Sequence, residues 1–325
     1  MQRRSFLAGL TGALALAPLR GLAAEMEFDA WLKTFRQDAI TKGIPVAVVD
    51  SSLTGVAPIP RVLELDRRQP ETTLTFDEYI TRVVNPGRIE SGRARLQEHR
   101  DLLARVSQTF GVQPRFIVAL WGIETDFGRL TGNFSIISAL ATLAYDGRRS
   151  AFFREELLNA LRIVAKGHVA AQELRGSWAG AMGQSQFMPS TYLAYAVDFD
   201  GDGKADIWTS RADVFASAAN YLSKVGWRGD ETWGREVRLP PGFDRAMVDH
   251  NKVQKPLTEW QSLGVRRLDG GDLPARDLTA SVIQPGGAEG PSFLIYNNYR
   301  VLLRWNRSLY FATAVGFLAD RIGEG

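Results

Sequence analysis

The segment FIVALWGIETDFG, residues 116–128, decides the fold because it sets one carboxylate at the end of an apolar helix. Pro114 is typical of a first helical turn, and the apolar run before Glu124 predicts burial on most faces. A carboxylate there must be paired or must face a cleft. Between Trp121 and Phe127 the pKa of Glu124 should rise, which suits a proton donor near neutral pH. The alternative is a helix-end acid bonded to a nearby arginine.

Asp126 is the obvious candidate for a second carboxylate, but its spacing from Glu124 argues against a shared site. Two residues along a helix rotate a side chain by about 200°. We therefore expect Asp126 to cap or brace the end of the helix.

The first 24 residues have a basic start, an apolar middle and small residues at their end, which predicts an export signal outside the fold. Arg3 and Arg4, followed by SFL, resemble a twin-arginine signal, which carries folded proteins across a bacterial inner membrane. The general export route is the alternative. An uncleaved anchor is disfavoured because the apolar run is shorter than the about 20 residues needed to span a membrane.

The charge and the residue inventory exclude several classes of function. The chain has 39 basic and 36 acidic residues, and without the 3 arginines of the signal the basic count is 39 less 3, equal to the acidic count. A near-neutral mature chain favours neither nucleic acid nor an acidic membrane surface. The sequence has no cysteine, which excludes disulfides, thiol chemistry and a lipoprotein anchor. Its 3 widely spaced histidines leave little for a zinc site or a Ser-His-Asp triad.

Helical patterns dominate the first two thirds of the chain, with two helices expected between Phe76 and Gln108. From about residue 230 to 292, proline, glycine and short apolar stretches such as REVRLP and LTASVI predict a small strand-containing region. A closing helix from Phe311 is expected to pack back on the body.

A second segment, residues 176–200, is dense in small and uncharged polar residues. Its glycines allow close backbone approach, and its hydroxyl and amide side chains suit a sugar: Ser177, Gln184, Ser185 and Gln186. The alternative is a tight turn that packs a helix. Aromatic residues that could stack on sugars, or simply belong to the core, are Tyr79, Phe187, Tyr221, Trp305 and Tyr310.

Five ordered motifs together resemble the lytic murein transglycosylase B family, bacterial enzymes that cleave peptidoglycan glycan strands. They are WGIETDFGRLTGNF (121–134), GRRSAFF (147–153), GSWAGAMGQSQFMPSTYLAYAVDFDGDGKADIW (176–208), ANYLSKVGW (219–227) and RWNRS (304–308). The resemblance covers almost all of the mature chain. It implies a mainly α fold, with a lysozyme-like helical core, an additional helical domain and a small β-containing domain around a deep groove.

The expected division follows from this resemblance and from the patterns above. An export signal occupies residues 1–24, an N-terminal helical domain 25–90, the catalytic core 91–228, a β-containing region 229–292, and a C-terminal strand and helix 293–325.

The resemblance also implies roles for individual residues. Glu124 matches the single catalytic acid and base, while the matches to the substrate groove are Ser177, Gln186, Tyr79, Arg148, Arg149, Tyr221, Trp305 and Asn306. The chain departs from the family pattern at two positions. Trp305 stands where the family has tyrosine, and Ser185 adds a hydroxyl where a small residue such as glycine would stand.

The loop DFDGDGKAD, residues 198–206, matches most of a calcium-binding loop. The expected ligands are Asp198, Asp200, Asp202, Lys204 through the backbone carbonyl of the seventh position, Asp206 and Asp213. The twelfth position is Thr209 instead of a bidentate glutamate, so Asp213 is expected to reach in from the next helix. Its alternative role is a capping box with Ser210. Relatives of the family carry an EF-hand-like calcium loop here, which implies a structural Ca²⁺.

The family chemistry fits a site with one convincing carboxylate. We expect a lytic transglycosylase that cleaves the bond between N-acetylmuramic acid and N-acetylglucosamine, leaves 1,6-anhydro ends and needs no cofactor for catalysis. A hydrolytic muramidase, which needs a second carboxylate or a held water, and a non-catalytic murein-binding protein are the alternatives. The expected location is the periplasm. Expected partners are peptidoglycan strands and cell-wall synthesis proteins, with no nucleic acid and with the chain as a monomer.

Overall fold

The computed structural model describes residues 17–67 and 74–324, with side chains from residue 27 onward. Fourteen helices lie in this part of the chain: α1 (Ala17–Thr41), α2 (Val46–Leu53), α3 (Pro60–Arg67), α4 (Phe76–Val83), α5 (Pro86–Glu98), α6 (Arg100–Phe110), α7 (Pro114–Thr125), α8 (Ile136–Asp146), α9 (Ser150–Ala165), α10 (Pro189–Tyr195), α11 (Arg211–Lys224), α12 (Leu257–Ser262), α13 (Asn297–Trp305) and α14 (Leu309–Gly323). The prediction of a mainly helical body is confirmed.

Seven short strands form two antiparallel sheets. They are β1 (Phe134–Ser135), β2 (Arg175–Gly176), β3 (Gly234–Arg238), β4 (Lys255–Pro256), β5 (Arg266–Arg267), β6 (Thr279–Ile283) and β7 (Ser292–Ile295). The first two pair with each other, and the other five form one sheet in the order β4-β6-β7-β3-β5. The predicted strands REVRLP and LTASVI correspond to β3 and β6.

One hydrophobic core surrounds helix α7. It contains residues of α6, α7, α11, α13 and α14, among them the large and fully buried side chains of Phe116, Phe215 and Tyr299. Helix α14 packs against α7, α5 and α4. The closing helix therefore packs back, as predicted, and supports the helix that carries Glu124.

A second core joins the first three helices to α8, α9 and α10. Phe28 and Phe35 of α1 pack in the same cluster as Leu140 of α8 and Leu157 of α9. A third, smaller core lies in the β-containing region around Trp260 and Tyr296. Tyr221 and Trp305 pack against both large cores, so the junction of the two cores is where the candidate site must be sought.

Two local expectations need correction. Residues 76–110 form three helices rather than two, because Asn85 caps the start of α5 and the chain restarts at His99 between α5 and α6. The C-terminal segment contains a strand and two helices, since α13 precedes α14. The other domain limits stay predictions, although the helices of residues 25–90 divide between the two large cores.

Most of the predicted export signal lies outside the described residues, including Arg3 and Arg4. Helix α1 begins at Ala17, inside that segment. Within the described residues, no helix combines the length and apolar character needed to cross a membrane.

Candidate active site

The end of α7 positions Glu124. After Thr125 the chain makes a left-handed turn, with φ of 51° at Asp126, 58° at Phe127 and 85° at Gly128. Asp126 caps the helix, and its carboxylate contacts Arg129 and lies 3.8 Å from the Arg88 guanidinium. The prediction that Asp126 braces the helix end is confirmed, and this acid is engaged by arginines instead of joining Glu124.

Glu124 is half-buried and is held from the far end of the chain. The indole Nε1 of Trp305, the last residue of α13, donates a hydrogen bond of 2.7 Å to Glu124 Oε1. A hydrogen bond to a charged acceptor is among the stronger ones and fixes direction as well as position. The two residues lie 181 positions apart in the sequence, so the contact depends on the packing of α13 and α7 in the first core.

An aromatic cluster surrounds this hydrogen bond. The ring centroid of Trp305 lies 5.3 Å from that of Phe187 and 5.0 Å from that of Tyr221. The Tyr221 hydroxyl donates to the Arg304 carbonyl at 2.8 Å, which ties α11 to the end of α13. Phe187, Tyr221 and Trp305 are three of the five aromatic residues that the sequence offered either as stacking surfaces or as core, and the structure brings these three together beside Glu124. Tyr79 and Tyr310 contact each other instead.

Gln184 fastens the glycine-rich segment to α7. Its side-chain oxygen accepts from Trp121 Nε1 at 2.8 Å, and its amide nitrogen donates to the Trp208 carbonyl at 2.6 Å. The Thr125 hydroxyl donates to its backbone carbonyl at 3.0 Å. Gly128 is required here, because a Cβ at that position would lie 2.3 Å from Gln184 Oε1. For the segment that contains Gln184, the sequence left open sugar binding and a tight turn that packs a helix; at Gln184 the contacts are those of the second.

A narrow cavity opens beside Glu124, with a volume of about 10 Å³, enough for roughly one water molecule. Its wall consists of Ile117, Leu120, Trp121, Glu124, Gln184, Ser185, Val214, Phe215, Ala218 and Trp305. Glu124 is the one carboxylate among these lining residues. The Ser185 hydroxyl donates to the Val214 carbonyl at 3.3 Å, so the added hydroxyl is accommodated by the backbone of α11.

Ser177 and Gln186 lie in the loop that follows β2. The Ser177 hydroxyl accepts from the Ala181 amide at 3.0 Å. Gln186 has a left-handed φ of 49°, and its side-chain amide donates to the Gly183 carbonyl at 2.9 Å. Both side chains are partly exposed, and their predicted contact with sugar stays a prediction.

The other predicted groove residues are spread over neighbouring elements. The exposed Arg148 and Arg149 pair with the buried carboxylate of Asp66 on α3 at 2.6 and 2.7 Å. Tyr79 stacks near Tyr310, with ring centroids 5.6 Å apart. The side-chain oxygen of Asn306 accepts a hydrogen bond from the amide of Ser308, the N-cap residue of α14, at 3.0 Å.

The acidic loop brings three predicted metal ligands together. Carboxylate oxygens of Asp198, Asp200 and Asp202 lie within 4.8 Å of one another. Gly203 makes the sharp turn with φ of 93°. This donor set of clustered carboxylates fits Ca²⁺, which takes oxygen ligands in flexible geometry.

The two remaining aspartates of the predicted ligand set have structural contacts. Asp213 is fully buried and accepts from the Phe199 and Asp206 amides, both at 2.7 Å. Burial raises the pKa of the Asp213 carboxyl. Asp206 accepts from the Thr209 and Trp208 amides. Ser210 caps α11 by accepting from the Asp213 amide, and its hydroxyl donates to Asp200 at 2.6 Å; the second contact was missed at the sequence level. Ligand roles for Asp206 and Asp213 stay predictions, as does that of the Lys204 carbonyl.

Comparisons with known proteins agree with this geometry. A family model described as a transglycosylase SLT domain matches residues 27–320. The membrane-bound lytic murein transglycosylase B of Escherichia coli K12 is 33% identical over 251 residues, which are 75% of this chain and 66% of that protein. The chain thus spans slightly less than two thirds of the length of this curated relative.

Two solved structures are similar over most of the chain. SltB3 from Pseudomonas aeruginosa, in complex with NAG-anhNAM-pentapeptide, has a TM-score of 0.88 and 46% identity, covering 92% of this chain and 80% of that one. The Escherichia coli lytic transglycosylase Slt35, in complex with calcium, has a TM-score of 0.77 and 28% identity, covering 90% and 92%. The predicted fold class, a lysozyme-like helical core with a small β-containing region, is confirmed.

Proposed function

The chain belongs to the family of transglycosylase SLT domains, and from that premise we propose that it is a lytic transglycosylase acting on peptidoglycan. The motif-based family prediction is thereby confirmed. The proposed reaction cleaves the β-1,4 bond from N-acetylmuramic acid to N-acetylglucosamine and forms a 1,6-anhydro end on the muramic acid. The observation that carries the proposal is a single, oriented carboxylate, Glu124, held by Trp305 in an aromatic setting.

The first step uses Glu124 as an acid. Its protonated carboxyl gives the proton to the oxygen of the scissile bond, and the C–O bond to the anomeric carbon of the muramic acid breaks. Positive charge at that carbon is stabilised by the substrate's own N-acetyl carbonyl, as an oxazolinium-like species. Two-carboxylate glycosidases would supply a nucleophile or a base at this point; Asp126, the nearest other acid in the sequence, is engaged by Arg129 instead.

The second step uses the same residue as a base. The Glu124 carboxylate takes the proton of the sugar 6-hydroxyl, whose oxygen attacks the anomeric carbon and closes the anhydro ring. The hydroxyl is already tethered, so it competes well with water through its effective concentration. The Trp305 indole donor stabilises the carboxylate that the first step forms and holds it in position for the second.

Substrate binding is assigned to the groove residues of the family pattern. Trp305 and Tyr221 offer ring faces on which sugars can stack, and Ser177, Gln186, Tyr79 and Asn306 offer uncharged hydrogen-bonding groups. Arg148 and Arg149 offer exposed guanidinium groups, which pair with Asp66.

We assign Ca²⁺ to the loop of Asp198, Asp200 and Asp202, with a structural role. The clustered carboxylates support this assignment, as does the calcium complex of the similar Slt35. Bound there, the ion would neutralise mutual repulsion of the carboxylates. The proposed location is the periplasm, reached through the signal at residues 1–24, and the proposed partners remain peptidoglycan strands and cell-wall synthesis proteins.

The proposal is tested by digesting purified peptidoglycan with the parent protein and with Glu124→Gln. The expected result is release of soluble muropeptides by the parent and none by the variant, with both proteins folded by circular dichroism. Strand binding without release by the parent would replace the proposal with the murein-binding alternative.

A further inference from the structure

One face of α13 carries three arginines next to the candidate active site. Arg300 and Arg304 lie one helical turn apart, and Arg307 follows just beyond the helix end; we call these three residues the basic face. With Leu303 and with His250 and Asn251 of the β-containing region, they line an open pocket of about 390 Å³. The opposite face of α13 is buried through Asn298, Val301 and Leu302.

The basic face carries positive charge that the described residues do not neutralise. Among the described residues, no carboxylate lies within ion-pair distance of Arg300, Arg304 or Arg307. Arg300 is held in place by neutral acceptors, since it donates to Ser281 Oγ at 2.6 Å and to the His250 carbonyl. The neighbouring Asp249 is occupied by Lys252 and by the amides of the 251–252 turn. A concave pocket with three uncompensated guanidinium groups is suited to an anion.

We propose that the basic face binds a carboxylate of the peptide attached to the glycan strand, which makes it a specificity site for peptide-bearing murein. This inference rests on the proposed function. Guanidinium groups match carboxylates in geometry and can bind them through two parallel hydrogen bonds. A small pocket in a chain of near-neutral charge favours a single carboxylate group over an extended polyanion.

The distances along the chain agree with such a ligand. Arg304 precedes Trp305, whose indole contacts Glu124, and its carbonyl accepts from Tyr221. The Cα of Arg304 lies about 3.8 Å from that of Trp305, the residue whose indole contacts Glu124. An extended five-residue peptide reaches roughly 17 Å, which is longer than this step and a tryptophan side chain together, so a peptide on a sugar held at Glu124 is long enough to place a carboxylate in this pocket.

The test compares two substrates with three variants. Glycan strands with intact peptides, and the same strands stripped of peptides by an amidase, are digested by the parent and by Arg304→Gln/Arg307→Gln. The control Arg100→Gln/Arg105→Gln removes the same charge from the exposed surface of α6. Arg304→Lys/Arg307→Lys keeps the charge and loses the paired hydrogen bonds.

We expect kcat/KM of the glutamine variant to fall about tenfold on peptide-bearing strands, as the loss of two charge contacts implies. On stripped strands it should match the parent, the lysine variant should be intermediate, and the α6 control unchanged. Equal loss on both substrates, or no loss on either, would overturn the inference while leaving the proposed function intact. Binding of the parent, but not the glutamine variant, to phosphatidylglycerol vesicles with unchanged cleavage of both substrates would also overturn it, in favour of a membrane contact. A parent inactive on both substrates would overturn the proposed function and this inference with it.

Discussion

Replacing Trp305 by phenylalanine isolates the contribution of one hydrogen bond to the chemistry of Glu124. Phenylalanine keeps an aromatic ring next to Phe187 and Tyr221 but removes the Nε1 donor that lies 2.7 Å from Glu124 Oε1. A hydrogen bond to a charged group contributes about 1.5 to 3 kcal/mol. Loss of that donor disfavours the carboxylate form, which raises the pKa of Glu124 in the variant relative to the parent.

The pH dependence of cleavage reports this change. Activity requires protonated Glu124 at the start of the cycle, so the rate falls on the alkaline side, where the acid is ionised. The alkaline limb should therefore move to higher pH in the variant. The maximal rate should fall as well, because Glu124 becomes a weaker proton donor and its carboxylate is less firmly aimed.

The assay is initial-rate release of muropeptides from purified peptidoglycan between acid and alkaline pH. Tyr221→Phe is the matched control, because it removes a hydrogen bond from the same aromatic cluster, to the Arg304 carbonyl instead of to Glu124. Its alkaline limb should coincide with that of the parent. A Trp305→Phe profile that superimposes on the parent profile would refute the role assigned to the indole.

Two further predictions concern the support of the site. Gly128→Ala should lower the free energy of unfolding by about 2 to 4 kcal/mol in denaturant titration, because the added Cβ would displace Gln184 and the φ of 85° is left-handed. The control is Gly43→Ala, which has a φ of 84° and open space around it, so it should lose only the backbone contribution. Equal losses in the two variants would contradict the packing argument. Chelation of calcium should lower the melting temperature by about 5 °C through loss of a ligand that binds the native state, and Asp198→Asn should abolish that response. A melting temperature that changes neither with chelator nor with added calcium would contradict a structural role for calcium.

Local patterns were enough to predict much of this structure. Pro114 in the first turn of α7 and the apolar run before Glu124 each act within a few residues of chain. Helix α7 could therefore be placed, with its carboxylate at the end. The acidic loop was equally readable, because its alternating aspartates lie within five residues of one another.

The long-range contacts could not be predicted in the same way. No spacing rule links Trp305 to Glu124 or Asp66 to Arg149, because each pair depends on how helices far apart in the sequence pack within a core. Gln184 was assigned to sugar binding since an amide in a glycine-rich segment satisfies that pattern, but burial gave it protein partners. Burial and pairing of polar groups depend on tertiary packing, which single-sequence patterns do not encode.

In the proposed mechanism one carboxylate both donates and accepts the proton, so the sugar's own 6-hydroxyl, and not water, attacks the anomeric carbon. The most direct test is mass spectrometry of muropeptides released in water enriched in heavy oxygen. We expect products that are lighter by one water than hydrolysed fragments, carry no heavy oxygen and are absent with Glu124→Gln. Heavy oxygen at newly formed reducing ends would contradict this mechanism and identify the protein as a muramidase.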